Sequence, residues 1–254
     1  MQRYFIAEEQ MDQHSCVIKG QDVHHMLHVM RLGPGDRIML SNNAGRTVIA
    51  QLEQISKEQV VCRIVEEVKV TRELPVKVTI AQGLPKGDKL EWVLMKGTEL
   101  GAYRFIPFFS SRTIVKYDQK KEEKKRERWQ RIVKEAAEQA QRDFMPRVEP
   151  VVSFSELLQF DADLKLVAYE GCSLAEEVPS SFVQALNKLD KAKGKEILVV
   201  IGPEGGLAEG EVSQLIHHGF RPVSLGKRIL RTETAALYVL AALSFYYEQI
   251  GGAK

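Results

Sequence analysis

Cysteine is scarce in this chain. Cys16, Cys62 and Cys172 stand far apart with no CxxC pair, which argues against a disulfide framework and against a zinc site. Long apolar runs are missing as well. The most apolar stretch, 235–247, falls short of the roughly 20 residues that a membrane-spanning helix needs. The opening MQRYFIAEEQ holds no apolar run fit for a signal peptide. Net charge is almost absent: 36 basic and 34 acidic residues leave +2, which by itself says nothing about nucleic acid. What is present is an ordinary globular balance, 44% apolar and 28% charged over 254 residues, enough for one or two domains with a sizeable core. The expectation is a cytoplasmic protein with no membrane segment and no metal.

Two patterns share the chain. The first seventy residues read as short strands separated by turn chemistry: RYFIA, then GPGD (33–36) into RIML, then NNAG (42–45) into TVIAQL, then QVVCRIVEEV. One helix interrupts them over 21–32, where Val23, Met26, Leu27 and Met30 recur at helical spacing. This is the pattern of a small β-barrel with one helix. After RELP (72–75) the pattern changes. VKVTIAQGL, RFIPFF, LKLVAYEG, EILVVIGPEGG and RPVSLG are near-continuous apolar runs, alternating with helical segments. Such runs suit parallel strands covered on both faces. Asp88 with Glu91 suggests a reciprocal cap for the helix after GDK. A longer helix is expected over about 120–142, with Trp129, Ile132, Val133, Ala136, Ala137 and Ala140 on its apolar stripe. The final helix, from near Thr232, is apolar almost all round through Tyr247 and must be buried in the core or against another subunit. The boundaries expected are 1–72 and 73–254.

The stretch 196-EILVVIGPEGGLAEGEV-212 is a buried strand, a glycine turn and a helix start. In open α/β sheets, ligands bind beyond the carboxyl ends of the strands, where glycine lets backbone N–H groups approach closely. The turn fits neither GxGxxG nor the GK[ST] loop. It also contains Glu204, a carboxylate that would repel phosphate and suit an ammonium, a sulfonium or ribose hydroxyls. The segment alone is also compatible with a tight turn that carries a solvent-facing glutamate. Two further strand ends resemble it: 168-AYEG-171, and 223-VSLGKRILRTETAALYVL-240, where Lys227, Arg228 and Arg231 form a basic loop and Thr232 is a candidate helix cap. Taken alone, Arg231 and Glu233 are an ordinary ion pair at a helix start.

IGPEGG followed by LGKRILRTETA resembles the cofactor signature of the SPOUT class of S-adenosylmethionine-dependent RNA methyltransferases. RYF, HHMLHVMRL-GPGD, QGLPKGDKLEWVLMKGTELG, SRT (111–113) and RWQRIVKEAAEQAQR narrow the likeness to the bacterial 16S ribosomal RNA uridine-N3 methyltransferase family, over essentially the whole chain. The resemblance implies an N-terminal PUA-like β-barrel RNA-binding domain. It implies a C-terminal SPOUT-type α/β domain with a mostly parallel sheet and a trefoil knot, the knot and cofactor site falling at about 165–235. It also implies a homodimer formed through the knot region, and 16S ribosomal RNA or the small subunit as substrate.

The residues carried over follow those motifs. Tyr169, Glu170, Gly202, Pro203, Glu204, Gly205, Gly206, Leu225, Gly226, Ile229, Leu230 and Thr234 would hold S-adenosyl-L-methionine. Arg231 and Glu233 would be catalytic, the arginine near a uracil carbonyl oxygen and the glutamate, or water, as proton acceptor. Arg3, Arg31, Arg112 and Arg142 would contact RNA, with Thr98 and Glu99 at the uridine. Gly101 either joins them or only ends its helix. His24 and His28 lie one turn apart, with no third ligand at suitable spacing for a metal.

Overall fold

The computed structural model describes residues 1–114, 119–169, 171, 182–187 and 195–250. The chain separates into two compact units. Met1–Glu73 forms the first together with Ala137–Met145, and Leu74–Ala136 with Pro146–Lys254 forms the second. The return of 137–145 to the first unit is not visible in the sequence.

The first unit is built on a five-stranded mixed sheet in the order β1-β3-β4-β5-β2. Its strands are β1 (Arg3–Phe5), β2 (Ser15–Lys19), β3 (Arg37–Ser41), β4 (Thr47–Ile55) and β5 (Gln59–Glu67). β1 runs parallel to β3, and the other pairings are antiparallel. Turn chemistry works as expected: the Asp36 carboxylate accepts from Gly33 N–H at 2.8 Å, and Asn43 takes a positive φ of 56°. The core is formed by Tyr4, Ile18, Met26, Ile38, Leu40, Val48 and Leu52. The helix over 21–32 is shorter than expected. It runs as α1 (Gln21–His24), loosens into a wider π turn over His25–Val29, and ends with Arg31 at φ 54°.

The first unit also contains a buried ionic hub that corrects two expectations. Helix α3 (Gln119–Gln139) ends in a Schellman turn. Gln141 sits at φ 57°, and Arg142 N–H donates to Ala137 O at 2.9 Å while Gln141 N–H donates to Glu138 O at 3.2 Å. The helix therefore stops before 142, and the turn carries Arg142 inward. Its guanidinium meets the Glu73 carboxylate, which also accepts from Asp143 N–H at 3.0 Å and Phe144 N–H at 3.1 Å. Next to it the wholly buried Arg3 side chain pairs with Asp143 at 2.7 Å and donates to the Arg142 carbonyl. Arg3 and Arg142 are enclosed and engaged, so neither guanidinium is presented to an RNA phosphate as the sequence suggested.

The second unit carries a six-stranded, all-parallel sheet in the order β11-β9-β10-β6-β7-β8. Its strands are β6 (Lys77–Gly83), β7 (Arg104–Phe108), β8 (Arg147–Val148), β9 (Leu164–Ala168), β10 (Glu196–Ile201) and β11 (Arg221–Val223). The central pair, β6 and β10, is buried on both faces beyond the first residue of each, as their apolar runs require. One face packs Ile106, Phe108, Val200, Leu207, Leu215 and Phe220. Helices α2 (Lys89–Glu99), α3 as far as Ala136, α4 (Phe154–Leu157), α5 (Phe182–Asn187), α6 (Glu209–His217) and α7 (Thr232–Ser244) complete the unit.

Two expected caps are not made. Asp88 occupies the position before α2, but its side chain makes no capping hydrogen bond. Glu91 instead accepts from Arg128 at 2.7 Å. Before α7 the capping position belongs to Arg231, and the Thr232 hydroxyl is drawn elsewhere.

Removing one partner from a buried ion pair leaves the other charge uncompensated. Asp143→Ala is therefore expected to destabilise the first unit by about 3 kcal/mol in urea unfolding. A loss within experimental error would show that the hub contributes nothing to stability.

Candidate functional site

The carboxyl ends of three adjacent strands, β11, β9 and β10, open on one cavity of about 380 Å³. That size falls in the usual range for small-molecule sites. Ala168 ends β9 and Tyr169 follows it. The loop after β10 supplies Gly202, Pro203, Glu204, Gly206 and Leu207, and the loop after β11 supplies Leu225, Gly226, Arg228, Ile229, Leu230 and Arg231. Thr232 and Ala235 of α7, Ile201 of β10 and Lys89 of α2 close the wall. The bends near 169, 204 and 228 therefore meet.

The local chain explains why they do. A Cβ on Gly202 would come within 2.9 Å of the Gly206 carbonyl carbon and 3.0 Å of Leu207 N, so only glycine lets this loop fold back on itself. A Cβ on Gly83, at the end of β6, would sit 2.6 Å from the Pro203 ring. The loop after β10 is thus pressed against backbone on two sides. The Thr232 hydroxyl donates to Gly202 O at 2.6 Å, fastening the start of α7 to the same loop. Arg112 donates to Gly205 O at 2.7 Å, holding the loop from its outer side. The wall combines glycines and apolar residues with a few charged and polar ones, Lys89, Glu204, Arg228, Arg231 and Thr232 among them.

Glu204 behaves differently from the sequence expectation. Its carboxylate accepts from Lys89 Nζ at 2.7 Å and from Lys86 N–H at 3.0 Å. Its charge is already met by a cation and is not left free for a ligand cation. Burial pushes the Glu204 carboxyl up. The hydrogen bond from Lys89, backbone N–H groups at 204 and 86, and the Lys89 charge together outweigh that and hold it below the usual range.

Most of the expected cofactor residues lie in this wall: Tyr169, Gly202, Pro203, Glu204, Gly206, Leu225, Gly226, Ile229 and Leu230. Gly205 and Thr234 do not line it; Gly205 turns its carbonyl to Arg112 and Thr234 faces outward. Glu170 lies outside the described residues. Arg231 is exposed at the rim. Glu233 is not in the wall, and its Oε2 is buried with no hydrogen-bond partner among the described residues. Thr98 is also corrected. It is fully buried, and its hydroxyl donates to Leu94 O within α2 at 2.7 Å. Glu99 is exposed and pairs with Lys96 at 2.7 Å, while Gly101, at φ 94°, ends the helix. Arg31 and Arg112 are exposed.

Sequence reasoning missed Lys89, Ala168, Ile201, Leu207, Arg228, Thr232 and Ala235 as wall residues. Lys89 was within reach: a carboxylate held in a glycine turn calls for a nearby cation, and QGLPKGDK supplies one at a helix start.

A carboxyl whose folded-state pKa is lowered adds stability at pH above its unfolded value, and loses it as pH falls through the folded one. The Glu204–Lys89 tie is therefore complete at neutral pH. In carboxyl NMR titration Glu204 is expected to titrate below an ordinary glutamate, and Lys89→Met should move its midpoint upward, since burial then acts with less opposition. An unchanged midpoint in Lys89→Met would show that Lys89 does not hold the charge.

Comparison with known proteins identifies the architecture. Residues 72–244 match the RNA methyltransferase domain family, and residues 18–65 match the RNA methyltransferase PUA domain family. A ribosomal RNA small subunit methyltransferase E of Bacillus subtilis (strain 168) is 49% identical, over 99% of this chain and 99% of that protein. A protein of the same name from Synechocystis is 36% identical, over 97% of this chain and 78% of that one. Among solved structures, a ribosomal RNA small subunit methyltransferase E from Neisseria gonorrhoeae, bound to S-adenosyl methionine, superposes with a TM-score of 0.82 at 31% identity, covering 96% of this chain and 97% of that one. The chain thus belongs to the ribosomal RNA small subunit methyltransferase E family.

Proposed function

We propose that this protein methylates N3 of one uridine in the 16S ribosomal RNA of the small subunit, using S-adenosyl-L-methionine, in the cytoplasm. The observation that carries the reading is the single cavity formed by three strand-end loops, in a chain related along its length to a named ribosomal RNA methyltransferase. The wall fits such a donor: close-packed glycine backbone at Gly202 and Gly206 leaves main-chain groups to meet polar edges, and Leu207, Leu225, Ile229 and Leu230 offer apolar surface. When bound, S-adenosylmethionine supplies an electrophilic methyl group. No metal is needed for that chemistry, and no cluster of metal-ligating side chains occurs among the described residues.

The chain's own task concerns the uridine. N3 is an imide nitrogen, protonated at neutral pH and nucleophilic as its anion. The site must therefore orient N3, assist removal of its proton and stabilise charge on the flanking carbonyl oxygens. Arg231 suits the last role. It lies at the rim of the cavity, exposed, at the start of α7, and its planar guanidinium can donate to a uracil carbonyl oxygen. Glu233 lies outside the wall, so water is the proton acceptor in this reading. Arg112 and Arg228, both exposed, would meet RNA phosphate beside the cavity, and Arg31 would do so on the first unit.

The same reading includes a homodimer formed through the knot region. It is supported by an apolar stripe on the last helical segment, where Tyr238 is 44% and Phe245 58% exposed with exposed Ala241 between them, and by the exposed Trp92 of α2.

Two measurements test the reading. Mapping of modified nucleotides in 16S RNA from a deletion strain should show one N3-methyluridine missing, restored with the gene. Loss of a ribose methyl or of another methylated base would contradict it. Arg231→Ala should slow methyl transfer roughly 100- to 1,000-fold while changing S-adenosylhomocysteine affinity little. Equal loss of both would assign Arg231 to cofactor binding.

A further inference from the structure

Gln82 is a polar residue at the end of an apolar central strand. It is 1% exposed and does not line the cavity, but it touches two residues that do. Its side-chain nitrogen donates to Thr232 Oγ1 at 2.7 Å and to Gly83 O at 3.0 Å, and lies 3.4 Å from Gly202 O. In the register of the sheet, Gln82 is opposite Ile201, one residue before the loop that forms the cavity wall.

The amide orientation follows from chemistry. Gly83 O and Gly202 O are both carbonyl acceptors, so the NH2 end of the amide must face them. That fixes Thr232 in turn. Its hydroxyl accepts from Gln82 and has one proton, which goes to Gly202 O at 2.6 Å. The Gly202 carbonyl is thereby tied down from behind, and the peptide it belongs to keeps one orientation in the wall.

The arrangement carries a cost. Gln82 Oε1 is buried with no hydrogen-bond partner among the described residues, and an unpaired buried carbonyl is unfavourable. A residue selected for stability alone would be apolar here, like Ile80 and Ala81 before it.

We propose that Gln82 is a positioning residue for the methyl-donor site: acting through Thr232 it sets the Gly202 peptide, without touching the ligand. The inference rests on the proposed function, so the test begins with wild-type protein. Full-length protein is titrated calorimetrically with S-adenosylhomocysteine, with the thermal midpoint of each unliganded variant recorded alongside. Gln82→Met, of similar volume but without the amide, should weaken affinity roughly five- to thirtyfold. Thr232→Val should do the same, and Thr232→Ser, which restores the hydroxyl, should recover most of the loss. The double variant Gln82→Met with Thr232→Val should lose little more than the worse single variant, because both break one relay.

Wild-type affinity in Gln82→Met would overturn the proposal. So would losses that add in the double variant, or a drop in thermal midpoint with affinity intact, which marks a merely structural amide. Should Gln82→Met not fold, the contrast between Thr232→Val and Thr232→Ser decides, and equal affinity in those two refutes the relay. Failure of the wild type to bind would overturn the proposed function itself, and this inference with it.

Discussion

The carbonyl of Gly202 is the point on which the site depends. Gly202 follows β10, a strand buried on both faces beyond its first residue, and has no room for a Cβ because the loop folds back so tightly on it. A hydroxyl from the start of α7 holds the same oxygen, and that hydroxyl is held by the end of β6. Two strands and one helix that are far apart in sequence thus share one small set of hydrogen bonds. The cavity wall is the outer side of that junction. A wall fastened by backbone geometry in this way is already organised before a ligand arrives.

The second constraint is electrostatic. Glu204 lines the cavity, yet its charge is matched by Lys89. The sequence alone suggests a free carboxylate awaiting a cation. The structure shows an ion pair that fastens the loop after β10 to the start of α2, with each side chain about one-third exposed. The exposed cations at the rim, Arg228 and Arg231, form no such ion pair among the described residues. The mouth of the cavity thus presents positive charge outward, the sign that an RNA substrate requires.

Much of this was legible in the sequence because its signals are local. The parallel strands announce themselves as unbroken apolar runs, and the strand–glycine–helix order points to the carboxyl edge of a sheet before any coordinate is known. The 33–36 and 42–45 turns were equally plain. Illegible parts depend on distant partners. Arg3 looks like a surface cation until Asp143 is brought to it from 140 residues away. Arg142 looks like the next step of a helical stripe because Gln141, without the help of glycine, takes the left-handed conformation that ends the helix. Thr232 has the composition of a helix cap, but the Gly202 carbonyl draws its hydroxyl away. Glu233 follows Arg231 in the motif, and the helix turns it from the cavity. β8 is two residues long and leaves no pattern to read. The proposed chemistry, methylation at N3 of a uridine, rests on family likeness and not on spacing.

Joint use of the three strand-end loops is tested most directly by backbone amide NMR of the full-length protein during titration with S-adenosylhomocysteine. The largest shifts are expected at Tyr169, at 202, 204–207 and at 225–232, with residues of the first unit unmoved. Absence of binding, or shifts centred on the first unit or on only one of those loops, would contradict it.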